Sequence, residues 1–194
     1  MRLLGPLVRL QIQTASLKRG AKPDQWYDPA ALLEAESLSL DWRGASIPDP
    51  AGGALLDVHH LDHPETKQSP GENALSVGFT GHYARMRARF GARAAAGVAG
   101  ENLIVDCAEA VPLEEVRDGL VLRSAATGRS LALRNASVAH PCRPFSLFLL
   151  GGGAEPEALK AALQFLDGGT RGFYFVAEDG EPFLARLGDE VYAR

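Results

Sequence analysis

Residues 5–14, GPLVRLQIQT, alternate in character, with Leu7, Arg9, Gln11 and Gln13 on one side and Val8, Leu10 and Ile12 on the other. A period of two marks a half-buried strand. Arg9 interrupts the brief apolar start from Met1, so the segment reads as a first strand rather than a signal peptide. A mixed stretch follows through Lys18-Arg19-Gly20 and Trp26-Tyr27-Asp28, and Pro29 is placed to open a short helix through Leu32-Leu33. Residues 36–41 alternate again. Glycine and proline punctuate 44–53, which predicts a loop. Ala54 to His60 reads as a buried strand, and the polar stretch Leu61–Asn73 as an exposed loop.

The period changes after Thr80, a good N-cap residue, because Tyr83, Met86 and Phe90 recur at helical spacing and the helix is expected to stop near Gly97. Strands are predicted at 102–107, 119–124 and 130–138, with Thr127-Gly128-Arg129 as a hairpin turn. After a short apolar run, Phe145 to Leu150, and the joint Gly151-Gly152-Gly153, residues 155–167 suit an amphipathic helix with Leu159, Leu163 and Leu166 on one side. Phe173–Ala177 is a strand, Asp179-Gly180 a hairpin signal, and 182–187 the returning strand. Short strands with two or three peripheral helices predict a mainly β (α+β) fold. A small closed or partly open β-barrel suits the pattern better than a βαβ sheet.

Composition narrows the function classes. The 194 residues fit one domain with an adequate core, and the 46% hydrophobic and 23% charged fractions are ordinary for a globular chain. A net charge of −4 argues against general nucleic-acid binding. No apolar run approaches the roughly 20 residues of a membrane span. Two cysteines without CxxC spacing are unlike a disulfide scaffold or a zinc site, and a reducing cytoplasm is the expected location.

Cys142 is the residue with most chemistry in prospect. Pro141 and Pro144 constrain it, and His140 or Arg143, if pointing the same way, would favour the thiolate that attacks sulfur or binds a soft metal. The plain alternative is a buried apolar cysteine. Cys107 is read as structural, with a resolving thiol as the alternative. His59, His60 and His63 form the one histidine cluster. The surrounding strand-and-loop pattern deprives their spacing of its helical metal-site meaning, leaving a pocket mouth shared with Asp57, Asp62 and Glu65. Arg85, Arg89 and Arg93 make a basic stripe, read as a solvated helix face. Glu101 and Asn102 are expected to tie loops together through backbone hydrogen bonds, with a catalytic carboxylate as the alternative. Gly151-Gly152-Gly153 is not a phosphate loop, because no Lys-Ser/Thr follows it.

Six motifs in order resemble the MOSC family, named for the C-terminal domain of molybdenum cofactor sulfurases. They are Asp57-Val58-His59-His60; Phe79-Thr80-Gly81-His82-Tyr83; Gly97-Val98-Ala99-Gly100-Glu101-Asn102-Leu103; Val138-Ala139-His140-Pro141-Cys142; and Arg171-Gly172-Phe173-Tyr174 with Gly188-Asp189. The resemblance covers residues 54–194, most clearly from Asp57, and is weaker over the strands and loop of 1–53.

The resemblance implies a single β-barrel domain with its cysteine in a cleft. It assigns Cys142 as the catalytic residue and metal ligand of a molybdenum-pterin cofactor, and His59, His60, Glu101, Asn102, His140 and Arg143 as cofactor-binding. The implied activity is reduction of an N-hydroxylated small-molecule substrate, supplied by an electron-donor protein. The alternative is a persulfide or sulfur carrier that handles the cofactor beside a sulfurase; a third reading is a ligand-binding barrel in which Cys142 is merely buried. Two departures stand out: Ala139 replaces the family arginine before Pro-Cys, and Leu61-Asp62 replaces the Gly-Gly after the paired histidines.

Overall fold

The first alternating segment forms β1, Arg2–Gln13, in a computed structural model that describes residues 1–49, 51–67 and 72–194. Its phase differs from the simple alternation. Where β1 faces Leu103–Val105, the register slips between Leu7 and Arg9. The bulge turns Val8 outward, 45% exposed, and brings Leu7 into the core beside Leu10 and Ile12. Gln11 and Gln13 on the opposite face are buried as well, under the loop that carries the Gly-Glu-Asn motif.

The strands that follow are β2 Lys18–Arg19, β3 Trp26–Tyr27, β4 Leu32–Glu34, β5 Ser37–Asp41, β6 Gly44–Pro48, β7 Ala54–Leu56, β8 Leu75–Phe79, β9 Leu103–Val105, β10 Leu120–Arg123, β11 Ser130–Val138, β12 Phe173–Ala177, β13 Phe183–Arg186 and β14 Glu190–Ala193. The α-helices are α1 Thr80–Phe90, α2 Leu113–Val116, α3 Arg143–Leu150 and α4 Pro156–Leu166. Seven strands close a barrel in the order β14-β10-β11-β12-β8-β9-β1, with β1 and β14 making the seam. Only β8 and β9 run parallel within it, joined through α1, as a parallel pair requires a crossover. The mainly β barrel with peripheral helices is as the pattern predicted.

A second sheet, β13-β5-β6-β7, lies outside the barrel and was not legible as such. Residues 44–48, predicted as loop, are β6. Gly44, read as punctuation, adopts φ +139, and His60 packs so closely that a Cβ at Gly44 would lie 2.8 Å from the His60 Cα. β7 is an exposed edge strand rather than a buried one, and the chain leaves it in turns at Asp57. Pro29 opens a 3-10 turn, Pro29–Ala31, capped by Asp28, and Leu32 and Leu33 then extend. β13 does not return along β12 after Asp179-Gly180 but pairs with β5. α1 ends at Phe90 with Gly91 as its C-cap, short of Gly97, and the Thr80 hydroxyl donates to Asp106 instead of capping. Residues 61–67 are irregular as expected; 50 and 68–71, also expected in loops, lie outside the described residues.

Two apolar cores result. One fills the barrel around Leu7, Leu75, Phe173 and Phe175. The other packs Tyr83 and Met86 of α1 against Phe145 and Leu149 of α3, Leu166 of α4 and Tyr27. Among the described residues no helix is long and apolar enough to cross a membrane.

Candidate functional site

The loop 97–102 is held from below by β1. Gln11 and Gln13 donate their side-chain amides to the carbonyls of Gly97 and Gly100 at 2.7 and 2.8 Å. This fixes the next two residues in opposite roles. Asn102 turns inward as a tie: its Oδ1 accepts from the backbone and hydroxyl of Ser76, and its Nδ2 donates to Asp57 at 3.0 Å and to the Gln11 carbonyl. Every polar atom of that side chain is spent inside the protein, so Asn102 has nothing left to offer a cofactor directly.

Glu101 is buried at the cleft. Its Oε2 accepts from the Tyr83 hydroxyl at 2.5 Å, while Oε1 has no partner among the described residues. Gly78 makes room for it, since a Cβ there would lie 2.8 Å from Oε1. Burial pushes the Glu101 carboxyl up in pKa against the Tyr83 bond, which pulls it down. A raised carboxyl pKa favours the fold fully below the ordinary value of 4.5, and that contribution is lost as pH rises through the folded value. Glu101→Gln is therefore expected to gain stability relative to wild type between pH 4 and pH 8. Urea midpoints at the two pH values check it, and a difference independent of pH would refute the burial argument.

Asp57, fully buried, accepts four hydrogen bonds: from the Gln13 backbone at 2.7 Å, Asn102, the His59 backbone at 2.8 Å and His59 Nδ1 at 2.9 Å. His59 is thereby held with its ring toward Tyr174, the centroids 6.4 Å apart. The adjacent His60 is turned away; it is buried against Gly44, and its Nδ1 accepts from the Asp62 backbone. His63 accepts from the Glu65 backbone within the loop.

Arg171 joins the two halves of the site. Its guanidinium donates to the carbonyls of Ala99 and His140 at 3.0 Å each and lies over the Phe145 ring at 4.9 Å. It thus grips the chain on both sides of Cys142. Burial works against its charge, and Tyr174, Tyr27, Cys142 and Glu101 together more than offset that, leaving the pKa raised. Cys142 is the residue before α3 rather than the end of a strand, with no side-chain capping bond. It is half-buried against the second core. Arg143 points elsewhere, donating to the Pro23 carbonyl at 3.0 Å. Cys107 belongs to the barrel core and Cys142 packs on the other, so the two occupy separate layers.

These groups surround a cleft of about 730 Å³, walled by His59, Glu101, His140, Arg171 and Tyr174 with Lys18 and Lys67 at its polar side. Cys142 is not itself one of the lining residues, but it is within electrostatic reach of Tyr27 and Arg171, which are. At the rim His140 pairs with Asp167 at 2.9 Å, which holds the Asp167 carboxyl low. The cleft therefore gathers His59, Glu101 and His140 of the predicted set, while His60, Asn102 and Arg143 stand off it. Arg171, Tyr174, Lys18 and Lys67 were not singled out; the Arg-Gly-Phe-Tyr motif was the available signal for the first two. Arg85 and Arg89 stack on Phe165 of α4 and serve helix packing. Among the described residues no group of three His, Cys, Asp or Glu side chains is arranged to hold a metal ion.

No protein-family model matches the chain, and no curated protein matches it in sequence. Among solved structures it is similar to the YUAD protein from Bacillus subtilis, at 14% identity and a TM-score of 0.57, over 96% of this chain and 93% of that one. It is also similar to a hypothetical protein, at 15% identity and a TM-score of 0.54, over 100% of this chain and 68% of that one. Identities this low bear on the fold alone.

Proposed function

We propose that this chain is a MOSC-like protein that binds molybdenum cofactor in the cleft, with Cys142 as the protein's ligand to the metal, and reduces N-hydroxylated small molecules. The observation that carries the reading is a basic cleft beside a half-exposed thiol in an acidic chain. Lys18, Lys67 and Arg171 outweigh Glu65 and the buried Glu101 around a space large enough for a cofactor-sized anion. A soft thiolate suits molybdenum, and the cofactor itself would supply the remaining ligands. When bound, the cofactor supplies two-electron redox chemistry. The chain's part is to hold Cys142 between Pro141 and Pro144, to neutralise an anion with Arg171 and the lysines, and to shape the cleft. An electron-donor protein and a cytoplasmic setting complete the proposal.

The same half-buried thiol could instead carry a sulfur atom, so a persulfide carrier serving a sulfurase is the second reading. The two separate on metal content. Protein made in cells that synthesise the cofactor should carry molybdenum in near-stoichiometric amount, and Cys142→Ala should carry none. Metal in both would remove Cys142 as a ligand. Metal in neither would overturn the reductase, and an extra sulfur on Cys142 by intact mass would then mark the carrier.

A further inference from the structure

The Gly-Glu-Asn motif reaches the cleft by an indirect route. Asn102 donates to Asp57 at 3.0 Å, and Asp57 accepts from His59 Nδ1 at 2.9 Å. A carboxylate oxygen is only an acceptor, so Nδ1 must carry the hydrogen, and in the neutral ring Nε2 is the nitrogen left with the lone pair. His59 lines the cleft, is about one-third exposed, and makes no Nε2 bond among the described residues. Asp57 cannot swing away from this task. Its other oxygen is pinned by the Gln13 backbone at 2.7 Å as well as by Asn102, and the His59 backbone holds the first at 2.8 Å.

We propose that His59 is the acid–base group of the cleft, with Asp57 and Asn102 as the positioning residues that fix its tautomer and aim Nε2 at the bound small molecule. The role rests on the reductase reading above for its substrate. Reduction of an N-hydroxylated compound breaks the N–O bond, takes two electrons from the donor protein and consumes two protons. One proton builds the new N–H bond; the other leaves with the oxygen as water. His59, protonated on Nε2 from solvent, supplies the proton to the departing oxygen, and the Asp57 carboxylate stabilises the imidazolium while it is charged. Asn102 thus matters to the chemistry without touching the substrate.

The tautomer is readable without cofactor or turnover. Long-range proton–nitrogen NMR of histidine-labelled protein at alkaline pH, with His59→Gln for assignment, should show His59 hydrogen-bearing at Nδ1. Asp57→Asn, which removes one of the acceptor oxygens, should shift it toward the Nε2–H form. A predominantly Nε2–H His59 in wild type, or no change in Asp57→Asn, would overturn the positioning. In cofactor-loaded protein, His59→Gln should keep its molybdenum and lose about 10²- to 10⁴-fold in kcat/KM for an N-hydroxylated base. Loss of the metal together with activity, or unchanged turnover, would overturn the acid–base role. Absence of metal from wild type itself would instead strike at the reductase reading, with the tautomer result still standing.

Discussion

Asp57→Ala is expected to lower the stability of the fold by about 3–5 kcal/mol, the range for breaking a buried charged network. Truncation leaves the Gln13 and His59 backbone N–H groups, the Asn102 amide and His59 Nδ1 without their acceptor. Each stranded buried donor costs about 1–3 kcal/mol, and water entering from the cleft offsets part of the sum. The loss is not local to one turn, because Gln13 belongs to the barrel, Asn102 precedes β9, and Asp57 itself connects the outer sheet to the cleft. Urea denaturation of wild type and variant checks the figure. A loss below about 1 kcal/mol would mean that the four bonds are replaced by solvent at little cost.

Gly5→Ala is the second large effect, about 2–6 kcal/mol, from two separable sources. Gly5 adopts φ +152, and a Cβ there would lie 1.9 Å from the Asp106 carbonyl oxygen, a backbone atom that cannot turn aside. The conformation costs a non-glycine residue about 1–3 kcal/mol. Relieving the clash adds about 1–3 kcal/mol more, since β1 must separate from the segment after β9. Gly128→Ala is the internal control: its φ is +71 but nothing lies within 4 Å of the added carbon. Thermal or urea unfolding should find Gly128→Ala the milder by at least half. Equal losses would show that the clash relaxes freely.

Period-two and helical spacing revealed most elements, because they record which side of a segment meets the core. They were silent on what each strand pairs with. The chain does bend at Asp179-Gly180, yet β13 crosses to β5 of the outer sheet. β6 was hidden because Gly44 serves a close approach to His60 rather than a break. β14 is short and follows Gly188-Asp189, so no alternation announced the strand that closes the barrel. The phase of β1 failed at Val8 because a bulge leaves no mark in a polar and apolar pattern.

The site was legible to a similar depth. Motif order led to His59, Glu101 and His140, which do share a cleft, but could not separate His59 from His60. Neighbouring residues in a turn diverge, and the Asp57 carboxylate selects one of them. Asn102 was expected to tie loops, and it does, through Ser76 and Asp57. Arg171 escaped because its importance lies in two carbonyls, Ala99 and His140, that belong to other motifs. A residue whose partners are backbone atoms leaves no chemical trace at their positions in the sequence.

The seam between β1 and β14 also sets a folding schedule. Arg2–Pro6 pair with Glu190–Ala193, so the barrel cannot close until residues 190–193 have left the ribosome. Until then β1 presents unpaired backbone along that edge, which a chaperone or a second nascent chain is able to occupy. Closure through so long a loop belongs among slow folding events, in the range of milliseconds to seconds. β1 can rest first against β9, whose strand emerges far earlier. β14 then arrives as a latch on a barrel otherwise complete.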